Sequence, residues 1–257
     1  MEVHVNSVDK SAHQPRFVVT FNRNITLFTL IALPILCSLG IWQWHRAAEK
    51  HELETRYAQL HAQPPVTLTM ENISDLPDYQ RVMVQGYFDN DHTWLLDNKQ
   101  RHGKVGFEVI TPFVLTGGQR LLVNRGWLAA GDTRAQLPVI EDVPGQVTLF
   151  AELVSVVKHP LLDAHSERSD WPRIIMAIDV EDMNAQLQKD LLPRYVRLDE
   201  GSPGAFVTGW QAVNMTPEKH IGYAFQWFAM AFALVIWFVF ANSNLVEYWR
   251  SRRQKNR

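Results

Sequence analysis

The segment Glu218-Lys219-His220-Ile221-Gly222-Tyr223 brings a histidine to the start of a long uncharged run. On a helix, His220, Tyr223, Ala224 and Trp227 fall toward one side. A neutral imidazole among aromatic rings, at the lip of an apolar groove, is what an axial haem ligand requires, because the macrocycle is flat and mostly apolar and its iron accepts imidazole nitrogen. The plain alternative is an interfacial histidine within an aromatic belt. His45, near the other uncharged run, would lie at the same depth if two helices paired antiparallel, so a two-histidine site is a geometric option. Gln226 is the one strongly polar residue of its run.

Other chemistry is not written in the chain. The sequence holds no H-E-x-x-H, no G-x-S-x-G, no phosphate-binding loop and no G-x-G-x-x-G. Gly117-Gly118 is followed by neither Lys-Ser nor Lys-Thr and reads as a turn. His92, His102, His159 and His165 lack metal-ligand spacing and read as surface or loop residues. No basic stripe suggests nucleic-acid binding. Without an acid–base constellation the expectation is a protein that is not an enzyme.

Two elements must position His220. Ile25 to Trp44 and Ile221 to Ala241 carry no charge, and each is close to the roughly 20 residues that span a hydrocarbon core. The first run is longer than the apolar part of a signal peptide and ends in Trp42-Gln43-Trp44-His45-Arg46, with no small-residue cleavage site, so it reads as a retained anchor. Residues 1–24 hold Glu2 and Asp9 and are not Arg-rich, unlike a mitochondrial transit peptide. Eight of the 25 basic and three of the 27 acidic residues lie outside 45–220, which leaves that segment at about −7. Basic residues near span ends stay on the cytoplasmic side. The expected organisation is therefore a cytoplasmic leader (1–24), a transmembrane helix (25–44), an outer domain (45–220), a second transmembrane helix (221–241) and a basic cytoplasmic tail (242–257). This predicts a multi-pass protein of a bacterial inner (plasma) membrane, with both termini cytoplasmic, the central domain periplasmic and the lipid bilayer as a partner.

The fold class expected is an α+β membrane protein, a hairpin of two transmembrane helices flanking one β-rich periplasmic domain. Beyond Trp44 a stalk helix continues to Pro64-Pro65. Alternation predicts strands over Val66–Met70, Arg81–Phe88, Thr93–Asp97, Val105–Leu115, Arg120–Leu128, Gln146–Leu153 and Arg194–Leu198. Asp179 is placed to cap a short helix over Val180–Gln188. The lone cysteine, Cys37, lies in the first run, so the outer domain has no disulfide and must be held by its core.

From Leu39 to about Phe238 the chain resembles the Surfeit locus protein 1 family of cytochrome oxidase assembly factors. The resemblance rests on five blocks in order: Leu39, Gly40, Trp42, Gln43, Arg46 and Lys50; Pro64-Pro65; Val82-x-Val84-x-Gly86-x-Phe88; Gly106 with Thr111-Pro112 and then Val123-Asn124-Arg125-Gly126-Trp127; and His220-x-x-Tyr223-Ala224-x-x-Trp227-Phe228. It implies a role in maturing the haem-bearing subunit of cytochrome c oxidase, by inserting or protecting haem a, with haem a synthase as a further candidate partner. The cofactor would be haem a, its iron meeting His220 beside Tyr223 and Trp227. Gln43, Arg46, Arg125, Gly126 and Trp127 would be partner or structural signature residues. His45 matches no family histidine. Arg125 could meet haem propionates or the oxidase subunit, or bond loop carbonyls at a strand end, the latter being the default. Gln43 and Gln226 could pair the spans or meet the polar edge of a haem. The alternative function is a scaffold that stabilises an oxidase assembly intermediate without holding haem.

Overall fold

Side chains of a strand alternate between faces, and the alternating runs become the strands of one sheet. The computed structural model describes residues 17–131, 137–157 and 170–255; His159 and His165 lie outside them. In chain order come α1 (Arg23–His61), β1 (Val66–Thr67), β2 (Arg81–Phe88), β3 (Trp94–Arg101), β4 (Lys104–Leu115), β5 (Arg120–Ala129), β6 (Val147–Ser155), β7 (Arg173–Ile175), α2 (Val180–Leu187), β8 (Leu191–Leu198), α3 (Pro217–Ala241) and α4 (Leu245–Lys255). They group into two compact units, residues 54–212 and a second unit built from the two ends of the chain.

In unit 54–212, β2 pairs antiparallel with both β6 and β4. The order β2–β6–β8–β5–β4 therefore returns to β2 and closes a five-stranded barrel, in which only β5 and β8 run parallel. Closure leaves these strands no open edge. Inside lie Val82, Val84, Phe113, Leu121, Val123, Leu149, Ala151, Leu153, Val196 and Leu198. β3 extends the sheet from β4, and β7 runs parallel to β3. Trp94, Ile110, Leu122 and Ile175 form a second cluster with Met183 and Leu187 of α2. The Asp179 carboxylate accepts from the backbone N–H groups of Glu181 and Asp182, at 2.9 and 3.3 Å, as a helix cap should.

Several elements differ from expectation: β8, expected over Arg194–Leu198, already begins at Leu191, and β6, expected over Gln146–Leu153, runs on to Ser155. The strand predicted over Val66–Met70 is only Val66–Thr67, because Asn72 captures the backbone beyond it: its Oδ1 accepts from Thr69 N–H at 2.9 Å and its amide donates to Thr67 O at 3.0 Å. β3 runs on past Asp97 through Asn98, whose φ of 60° accommodates a register shift. β7 has three residues, too few for a periodic signal.

In the other unit, α1 runs unbroken through Pro34 for 39 residues and α3 for 25, beginning four residues ahead of the uncharged run. Both contain windows long and apolar enough to cross a membrane, with mean hydropathy 2.2 and 2.0. Asn22 caps α1, its Oδ1 accepting from the N–H groups of Asn24 and Ile25. The leader is also tied to the end of α3. Buried Asn242 accepts from Asn22 N–H at 2.7 Å through its side chain and from Thr20 N–H at 2.8 Å through its carbonyl.

Candidate functional site

His220 lies one turn into α3, in register with Ala224 and Ala231, and all three are buried. The face they share packs on α1, where Gly40 permits close approach: a Cβ there would come 2.7 Å from the Phe228 ring. The His220 Nδ1 lies 2.8 Å from Gln43 Oε1. A carbonyl oxygen only accepts, so Nδ1 carries the proton, the tautomer whose lone pair lies on Nε2. Histidines that bind metals are commonly fixed by such a bond to the opposite nitrogen. Among the described residues no group of three or more His, Cys, Asp or Glu could hold a metal ion. The donor chemistry of His220 fits a haem iron. Its 7% exposure means that α1 and α3 cover most of the ring.

Several expected neighbours fall elsewhere. Tyr223 is exposed, Trp227 only half-buried, and Gln226 points away from the helix pair. The glutamine pairing between spans is replaced by Gln43 with His220. His45 is exposed; it lies two positions beyond Gln43, about 200° around a helix. Arg46 forms an exposed ion pair with Glu49 at 2.7 Å, one turn along α1.

The Asn124-Arg125-Gly126-Trp127 signature is a β-bulge. Opposite Glu108 to Ile110 on β4, β5 advances from Trp127 to Asn124, one residue more than its partner. Gly126 takes a φ of 110°, and a Cβ there would lie 2.8 Å from Val207 O, so only glycine suits the position. The Asn124 side chain bridges the bulge, accepting from Gly126 N–H and donating to Glu108. The bulge aims Arg125 between the Phe88 and Phe206 rings, at 5.1 and 4.7 Å. Its guanidinium donates to Gly204 O and Glu141 O, both at 2.8 Å. Burial lowers its pKa to about 10, against the raising effect of Asp142 and Glu141. These bonds hold two loops against the barrel end. Arg125→Met should leave both carbonyls without a donor and lower the unfolding free energy by about 2 kcal/mol. Thermal melts of the full chain check this; an unchanged midpoint would contradict it. Trp127 is buried and its indole donates to Lys99 O at 3.2 Å.

A second polar centre had no sequence signal. Glu152, on β6, is completely buried. One carboxylate oxygen lies 2.8 Å from His61 Nε2, and the other pairs with Arg197, opposite it on β8. Tyr57 stacks on His61 at 4.1 Å, within reach of the Glu152 charge. Burial first, then the Glu152 charge, hold the Tyr57 proton well above the usual tyrosine range. The Arg197 guanidinium lies over Trp210 at 5.0 Å. The residues come from α1, β6, β8 and the loop beyond, so only folding assembles them.

Fold and site together define a class of protein: a helix pair with one buried histidine fixed by a glutamine, and between its helices in sequence a closed barrel with a bulged Arg-Gly-Trp strand. The model of the SURF1 family matches residues 30–232, and the chain belongs to that family. A SURF1-like protein of Rickettsia felis is 24% identical over 228 residues, covering 86% of this chain and 98% of that one. An uncharacterized SURF1-like protein of Mycobacterium tuberculosis is 29% identical over 212 residues, 77% of this chain and 75% of the relative. A SURF1-like protein of Dictyostelium discoideum is 29% identical over 121 residues, 42% of this chain and 45% of the relative.

Proposed function

We propose that this chain is a membrane-anchored assembly factor, not an enzyme, for a haem-copper cytochrome c oxidase. It acts on the haem-bearing subunit, and His220 is its contact to haem a. α1 and α3 cross a bacterial inner membrane as a hairpin, with both termini cytoplasmic and the barrel periplasmic. Supporting the membrane reading, large apolar side chains on both helices are exposed, among them Leu30, Ile31, Phe225 and Phe232, a surface that water does not tolerate. The basic ends and acidic middle favour this orientation.

The observation that carries the haem reading is the His220–Gln43 bond. Haem a, when bound, would supply an iron that accepts the imidazole. Gln43 holds the Nδ1 proton, so that Nε2 is the nitrogen presented. The apolar helix faces exclude water around it. A second reading, a scaffold that stabilises an assembly intermediate without haem, is favoured by the coverage of the ring, which makes the bond a clasp between helices.

The test is complementation. In cells lacking this chain, the oxidase should lose most of its haem a while the haem-bearing subunit is still made. The native chain should restore haem a and His220→Ala should not. Restoration by His220→Ala to the native level would leave the scaffold reading. Unchanged oxidase in the deleted strain would end both.

A further inference from the structure

Beyond α3 the chain turns through Asn242, Ser243 and Asn244 and enters α4. Val246, Trp249, Arg250 and Arg253 recur at helical spacing and share one side of it. With Phe240 from the last turn of α3 and Leu245, they line a groove of about 290 Å³. Its floor is apolar: Val246 and Trp249 are 47% and 62% exposed. Arg250 and Arg253 are exposed at its rim and, among the described residues, neither is in an ion pair. The groove does not depend on a loose tail. Tyr248 meets Phe17 edge-to-face at 6.2 Å, and Asn244 N–H donates to Val18 O at 3.2 Å, so α4 is fastened to the segment leading into α1.

We propose that this groove binds one anionic phospholipid, its phosphate between Arg250 and Arg253 and an acyl chain along Phe240, Val246 and Trp249. The inference rests on the membrane reading above. Charge complementarity chooses the headgroup, because two guanidinium groups with no carboxylate partner among the described residues match a phosphodiester. Continuity chooses a lipid over an acidic peptide. Phe240 belongs to the exposed apolar surface of α3, so the floor of the groove joins the surface that hydrocarbon would cover.

Native mass spectrometry of the full chain, extracted from membranes in detergent, tests this with phosphatidylglycerol and phosphatidylcholine of identical chains. The native chain should retain phosphatidylglycerol over phosphatidylcholine by roughly tenfold or more, and Arg250→Ala/Arg253→Ala should abolish the preference. Trp249→Ala should weaken retention of both lipids. Arg23→Ala, which removes a charge at the start of α1, should change neither. Equal retention of the two lipids, a preference surviving in the double variant, or equal loss in Arg23→Ala would overturn the site. So would glycerol phosphate competing as well as the lipid. A chain absent from the membrane fraction would instead overturn the membrane reading itself, which keeps the two failures apart.

Discussion

Glu152→Ala is expected to lower the unfolding free energy of unit 54–212 by about 3–5 kcal/mol, the range for removing one partner of a buried ion pair. The loss exceeds that of a surface bridge because Arg197 keeps its charge with its side chain only 15% exposed. At about 2–4 °C per kcal/mol for a unit of this size, the melting midpoint should drop by roughly 10 °C. Replacing both members, as in Glu152→Leu/Arg197→Leu, should restore much of that stability, since an apolar pair leaves no uncompensated charge. Tryptophan fluorescence of the full chain in detergent follows both. A single variant melting within about 2 °C of the native chain would show that the charge is not held by this pair.

The second large effect is expected at the barrel seam. Gly86 registers with Leu115 of β4 on one side and Val147 of β6 on the other, where β2 turns from one neighbour to the next. A Cβ there would lie 2.0 Å from Val114 O and 2.8 Å from the Phe113 ring. The nearer atom is backbone within a ladder and cannot yield without opening the β2–β4 pairing. Gly86→Ala should therefore cost about 3 kcal/mol, the upper end for overpacking. It should also raise amide hydrogen exchange at Gly86–Phe88 and Phe113–Leu115 before it affects α2. Gly118→Ala is the control: a Cβ there meets nothing within 4 Å, and only its positive φ opposes it. Equal stability of Gly86→Ala and the native chain would mean that the strands do not close as described.

The sequence was most legible where periodicity alone decides. The strands from Arg81 to Leu128 and the helix capped by Asp179 fall within a residue or so of expectation, apart from the longer β3, because apolar alternation and a capping carboxylate are local signals. Barrel closure was not legible. It depends on β2 choosing two partners, and in a linear reading Gly86 looks like one more small residue in an alternating run. The Glu152 centre was invisible for a related reason: His61 lies 91 residues from Glu152, and a glutamate on the outer strand face reads as solvated until something covers it. At the candidate site, Gln43 and His220 were both singled out, 177 residues apart, but each with another partner in view. Helical phase decides the matter, turning Gln43 toward α3 and His45 away from it. α4 went unread because its arginines resemble a plain basic tail, and its apolar stripe has only three residues, Leu245, Val246 and Trp249.

These pieces bear on function through one contact. Gln43 fixes which His220 nitrogen is left to accept, so the two residues should behave as a unit. The most direct measurement is the absorption spectrum of the detergent-purified full chain, co-expressed with haem a synthesis, beside His220→Ala and Gln43→Leu. The account predicts a haem a spectrum in the native chain, its loss in His220→Ala, and a weaker or shifted spectrum in Gln43→Leu with an unchanged fold. A native chain that never carries haem, or a spectrum that survives His220→Ala intact, would contradict it.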